Sequence, residues 1–128
     1  MRNTKGMESL VFSYAYYEVA DFKNLMEFFR ILHDARLFNI DNCNEKKQKM
    51  RGAFIQDYPK NHWNYLGLPG EKQVVGGAEI KEGILKIDAK TKSTLKMLRG
   101  LLEKTRKESI RFQKEEFEDI TEMLNKTR

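Results

Sequence analysis

Residues 90–128 read KTKSTLKMLRGLLEKTRKESIRFQKEEFEDITEMLNKTR, with no proline and a single glycine, Gly100. Leu95, Leu98, Leu102, Ile110, Phe117, Ile120 and Leu124 recur mostly at steps of three, four or seven, the spacing of one helix face. Read this way, the stretch is helical and makes the chain mainly α. A helix of more than thirty residues is long for a compact domain, and Thr105-Arg106-Lys107-Glu108 matches a capping box. The economical reading is therefore two helices with a break near Lys104. The alternative is one helix whose stripe shifts between Leu102 and Ile110, as at a coiled-coil stutter.

The charges in this stretch are sorted. Residues 90–111 hold eight Lys/Arg against two acids, and residues 112–128 hold three against five. A helical region basic in its first half and acidic in its second complements an antiparallel copy of itself. The apolar positions just named are the candidate self-association residues.

Upstream, Ala78–Lys90 reads AEIKEGILKIDAK. Ile80 and the Ile84, Leu85, Ile87 group flank Lys81-Glu82-Gly83, which fits a tight β-hairpin over residues 79–88. Val74-Val75 can supply a further short strand. Asp88, Thr91 or Ser93 can cap the helix that comes next. Residues 59–78, with Pro59, Gly67, Pro69, Gly70, Gly76 and Gly77, read as a long ordered loop. Its Trp63, Tyr65, Leu66 and Leu68 are expected to fasten it to the core. Before it, Asn42-Cys43-Asn44-Glu45 closes a loop over residues 37–44 and caps a middle helix from Glu45 to Gln56 or Tyr58, where Pro59 stops it.

Near the N-terminus, Leu10–Val19 carries Val, Phe and Tyr in partial alternation, which suits a buried strand. Phe12, Tyr16, Val19, Phe22, Met26 and Phe29, however, continue one stripe at steps of three and four, favouring helix on both sides of Ala20-Asp21. Ala15-Tyr16-Tyr17-Glu18-Val19-Ala20-Asp21-Phe22, followed by Leu25, Met26, Glu27, Phe28, Phe29 and Leu32, resembles the helix-turn-helix unit of tetratricopeptide repeats. Ala20 stands where that family usually has Gly, and Leu25 where it usually has Ala. The resemblance covers residues 15–32 and has no second copy in the chain. It implies a helical hairpin and not the family's peptide-binding surface, which needs stacked repeats.

The expected architecture is mainly α with a minor β part: an N-terminal helical hairpin, a middle helix, a small β-hairpin and one or two C-terminal helices. The 128 residues suit a single domain with residues 1–6 as a flexible end. Cys43 is the only cysteine, so no internal disulfide is available. No signal-peptide pattern opens the sequence and no apolar run approaches bilayer length, so a soluble, cytoplasmic protein without a membrane partner is expected.

Chemistry is sparsely signalled. His33, Cys43 and His62 lack short metal-ligand spacing. Gly76-Gly77 lacks the Gly-Lys-Ser/Thr ending of a phosphate loop, and Glu115, Glu116, Glu118, Asp119 and Glu122 read as a solvated helix face. No catalytic, cofactor or metal residue is nominated, and an enzyme is not expected. With 24 Lys/Arg against 19 Asp/Glu the net charge is +5, and the excess falls in two clusters. Lys46, Lys47, Lys49, Arg51 and Lys60, with Trp63 and Tyr65, pair phosphate-binding cations with stacking rings. Lys92, Lys96, Arg99, Arg106, Lys107 and Arg111 form the second. The leading expectation is a non-enzymatic helical protein–protein interaction module, a homodimer through its C-terminal helical region or a partner of another protein. The alternative is a small basic nucleic-acid-binding or regulatory protein using the 46–60 and 90–111 clusters together.

Overall fold

The computed structural model describes residues 11–57 and 72–119, which fold as six strands and two helices: β1 (Val11–Val19), α1 (Phe22–Asp34), β2 (Phe38–Asn44), β3 (Lys49–Asp57), β4 (Lys72–Lys81), β5 (Ile84–Ala89), α2 (Lys92–Arg106) and β6 (Ile110–Asp119). The strands form one sheet in the order β2-β3-β4-β5-β1-β6, each neighbour antiparallel to the next. The mainly α expectation is thus corrected to an α+β fold built on an antiparallel sheet.

β1 shows how the helical stripe misleads. Val11, Ser13, Ala15 and Tyr17 are buried, while Phe12, Tyr14 and Tyr16 alternate with them on the other face and are half-buried. This is the period of two that a pleated strand imposes. Bulky residues on both faces of an internal strand fill helical steps as well as strand steps, so the helical hairpin expected over residues 15–32 is a strand followed by a helix. Its turn is real: Asp21 caps α1, its Oδ1 accepting from the Asn24 N–H at 3.0 Å. The backbone N–H groups of Ala20 and Asp21 donate to the Ser109 carbonyl. Phe22, Leu25, Met26, Phe28, Phe29 and Leu32 then bury one helical face.

The middle helix and the loop before it are also corrected, to the β2–β3 hairpin. The cap signal at Asn44 exists, but it closes a turn: Asn44 Oδ1 accepts from the Lys47 N–H at 3.1 Å, and the Gln48 N–H donates to the Glu45 carbonyl at 3.2 Å. Asn favours such side-chain turns as much as helix starts. Across the hairpin Phe38 pairs with Phe54, and both rings pack with Phe29, at centroid distances of 4.8 Å and 6.2 Å. Gly52 is needed here, since a Cβ on it would lie 2.4 Å from the Asn39 carbonyl oxygen and 2.5 Å from the Phe38 ring.

β4 and β5 join through Glu82 (φ 53) and Gly83 (φ 76), the left-handed pair of a two-residue hairpin turn. Thr91 caps α2, its hydroxyl oxygen accepting from the Thr94 N–H. α2 ends at Arg106, where the capping-box residues fall, but the chain then enters β6 and not a second helix. The expected C-terminal helical self-association region is corrected accordingly: Leu95, Leu98 and Leu102 face the sheet and are buried, Ile110 is buried at the start of β6, and Phe117 lies on a strand. Ile120 and Leu124 are outside the described residues, as are residues 1–6 and 59–71.

Both helices cover one face of the sheet. Their apolar sides join Ala15, Tyr17, Met50, Phe54, Ile80, Leu85 and Ile87 in one buried cluster. Among the described residues, neither helix packs on the opposite face, and none is long and apolar enough to cross a membrane.

Candidate functional site: a cation groove on the open face of the sheet

Strand register fixes what the open face displays. One row across it runs Asn42, Arg51, Glu79, Lys86, Tyr16, Lys114. A parallel row pairs Asn44 with Lys49, Lys81 with Ile84, and Glu18 with both Ile84 and Arg111. The paired register of β3 and β4 ends at Met50 and Ile80, and Lys49 and Lys81 are the next residues beyond that last pair. Like charges brought close on neighbouring strands destabilise the pairing.

Around these two lysines lies a groove of about 320 Å³ lined by Asn42, Asn44, Lys47, Lys49, Met50, Arg51, Glu79, Ile80 and Lys81. Four cations thus meet one carboxylate, that of Glu79. The nearest hairpin acid is engaged elsewhere: Glu45 pairs with Arg30 of α1 at 3.0 Å. None of Lys47, Lys49, Arg51 and Lys81 is among the ion pairs of the described residues, which are formed by Arg30, Arg99, Arg111 and Lys114. An excess of unneutralised positive charge in a concave site is an attractor for anions.

Beyond the groove the same face carries tyrosines bracketed by charge. Lys86 Nζ lies 5.0 Å from the Tyr14 ring centre, and Lys114 Nζ 5.0 Å from that of Tyr16. Desolvation pushes the Tyr14 pKa up, and the carboxylates of Glu118, Asp88 and Glu116 add to it. Tyr16 is raised by desolvation and then by its hydrogen bond to Glu116, whose own pKa is held down first by that bond and next by Lys114. Asp88, in the row Ala53, Gly77, Asp88, Tyr14, is half-buried, and desolvation raises its pKa against the counter-pull of Lys86 and the Gly77 backbone N–H.

The second basic cluster has another fate. Arg99, on the helix face, donates through Nε to the Tyr17 hydroxyl (2.8 Å) and to Glu103 (2.9 Å), and through Nη1 to Glu115 on β6 (2.5 Å). Tyr17 donates to the same Glu103 oxygen, and the Arg99 guanidinium carbon sits 3.9 Å from the Phe112 ring centre. Desolvation works against the Arg99 charge, but the bonds to Glu115, Tyr17 and Glu103 outweigh it and raise its pKa. Lys92 lies over Phe117 at 4.8 Å, Arg106 Nη1 donates to the Thr105 carbonyl, and Arg111 pairs with Glu18 at 3.5 Å. Lys96 and Lys107 are exposed.

The two clusters therefore fall mostly on different faces, Arg111 of β6 being the exception, on the open face beside Glu18. Lys49 and Arg51 lie on the open face near the β2 edge, with Lys46 and Lys47 in the adjoining turn; Lys92, Lys96, Arg99 and Arg106 belong to α2 on the other face. This geometry separates the α2 cations from those of the β2–β3 hairpin. Lys60, Trp63 and Tyr65 lie outside the described residues. His33 Nδ1 accepts from the Ile40 N–H at 3.4 Å, Cys43 is an exposed thiol on β2, and His62 is outside the described residues. Among the described residues no His, Cys, Asp and Glu gather as three potential metal ligands. Glu115 faces the helices, with Arg99, while Glu116 and Glu118 face the open side, so the acids expected around a helix are sorted by a strand instead.

Sequence reasoning misses Lys81, Asn42, Asn44 and Glu79. The hairpin that carries Glu79 and Lys81 is readable, but their neighbours on β3 read as helical, so no cross-strand register comes into view. No protein-family model, curated protein or solved structure matches the chain.

Proposed function

We propose that the chain is a binding domain, not an enzyme, and that its ligand is an anion of the phosphate class, a free phosphate ester or a phosphate-bearing headgroup, held in the Lys47, Lys49, Arg51, Lys81 groove. The observation that carries this reading is the gathering of Lys47, Lys49, Arg51 and Lys81 around one groove, with none of the four in an ion pair among the described residues. A ligand with two negative charges would relieve the lysine pair, and the Arg51 guanidinium offers a fork matched to two oxygens. Asn42 and Asn44 supply amide groups for a remaining oxygen or an ester. The reading as a binder draws on the other polar cluster: Arg99, Glu103, Glu115 and Tyr17 saturate one another and present no free nucleophile and base.

Titration with inorganic phosphate, a phosphate monoester and vesicles containing phosphatidylinositol phosphate, followed by amide chemical shifts at low and moderate salt, tests the proposal. Shifts confined to residues 42–51 and 79–81, weakened about tenfold or more by Lys49→Glu or Lys81→Glu and untouched by Lys96→Glu, support it. The vesicle and monoester arms separate a lipid headgroup from a soluble ligand. Absence of binding at low salt, where phosphate contacts are strongest, or binding equally weakened by Lys96→Glu, overturns it.

A further inference from the structure

The two edges of the sheet are treated differently. β2 is a seven-residue edge with a register shift between Ile40 and Asn42, and the Ile40 N–H donates to His33. Both devices blunt an edge against pairing. β6 is ten residues long, pairs on one side with β1, and has no strand on its other side among the described residues. It also leaves two large rings half in solvent, Phe112 at 45% and Phe117 at 47% exposure.

The side chains of β6 are sorted by its register. Lys114 pairs with Tyr16 and Phe112 with Tyr17, so Gln113 is an extra residue at a bulge. Phe112, Glu115 and Phe117 consequently lie on the helix face, and Arg111, Lys114, Glu116 and Glu118 on the open face. A second β6 brought antiparallel alongside, about a two-fold axis perpendicular to the sheet at Glu115, meets its own complement. On the open face Lys114 comes opposite Glu116 of the second copy and Arg111 opposite Glu118, and each pair occurs twice. On the helix face Phe112 comes opposite Phe117, also twice, and the bulge of each copy takes up the extra residue. At the axis the two Glu115 carboxylates meet, each already neutralised by its own Arg99.

We infer that β6 is a homodimerisation edge, joining two copies into one continuous antiparallel sheet. The occupant is a second copy of this chain because the charge order of the strand, basic, basic, acidic, acidic across the open face, is complementary to itself read backwards and the exposed rings fall opposite each other. Main-chain pairing supplies the attraction and the charges set the register. The inference is independent of the groove, which lies at the far side of the sheet.

The test is an exchange of charges between chains. Sedimentation equilibrium across micromolar to high micromolar concentration should show a monomer–dimer equilibrium, and Lys114→Glu alone or Glu116→Lys alone should weaken it about tenfold or more. Each variant breaks the Lys114–Glu116 contact within its own chain as well, so the deciding sample is their mixture. There, the two carboxylates that one variant carries at positions 114 and 116 face the two ammonium groups that the other carries at positions 116 and 114. The mixture should dimerise about tenfold or more tightly than either variant alone. Circular dichroism of each variant checks that the fold is kept. A wild-type chain that is monomeric throughout, a dimer indifferent to both reversals, or a mixture no tighter than its components overturns the inference.

Discussion

The two faces of the sheet handle positive charge in opposite ways. On the helix face Arg99 is four-fifths buried and fully engaged, tying α2 to β1 and β6 through Tyr17, Glu103 and Glu115. On the open face Lys49 and Lys81 share one groove with Lys47 and Arg51, and none of the four is ion-paired among the described residues. The difference shows why a count of basic residues says little about binding. A cation that completes an internal network serves the fold, whereas like charges placed together without counterions hold energy that only an outside partner can release.

The largest expected effect is on the helix face. Arg99→Ala removes the common partner of the part-buried Tyr17 and Glu103 and of the exposed residue Glu115 and should lower stability by about 2 kcal/mol, since orphaned polar groups retain their desolvation penalty. The denaturant midpoint measures it, and phosphate titration of the variant should be unchanged, which would break the contrast if it were not.

A smaller effect sharpens the same contrast through pH. Burial, then the bond to Glu103, push the Tyr17 pKa up from its ordinary 10.0, so the folded chain keeps a proton that the unfolded chain sheds. The contribution of this group is therefore complete below pH 10.0 and lost as pH rises through the folded value. Tyr17→Phe should cost about 1 kcal/mol at neutral pH and make the alkaline decline of stability shallower than in the wild type, as read from midpoints at successive pH values above that ordinary value.

The smallest effect has the opposite sign. Lys49→Gln on the open face relieves the like-charge pair and should raise stability by a few tenths of a kcal/mol, while phosphate affinity falls. A variant that loses stability would remove the premise that these lysines are held together against their mutual repulsion.

Much of the local grammar is legible in the sequence. Glu82-Gly83 between apolar runs marks a hairpin turn, and Thr91 is among the nominated caps. Thr105–Glu108 marks where a helix stops. What cannot be read is which partner each segment finds. The aromatic residues of β1 satisfy helical and strand periods alike, and only neighbours on both sides of the strand decide between them. Asn44 signals a cap whether a helix or a turn comes after it. At the candidate site, Lys47, Lys49 and Arg51 stand out from charge alone, but Lys81 joins them only through the pairing of β3 with β4. Arg99 cannot be told from a free cation until Glu115, sixteen residues later in the chain, is seen beside it.

β1 has a further consequence. It is the first described strand of the chain, yet its two neighbours are β5 and β6, and Val11 pairs with Asp119. The run β2-β3-β4-β5 can zip from contiguous chain, but β1, made before all of them, has no strand partner among the described residues until β5 is made. The two pairings of β1 close long loops, and such distant pairings slow folding. During synthesis the aromatic β1 stays without its strand partners, so the vulnerable period of this protein's life is set by the order of its strands.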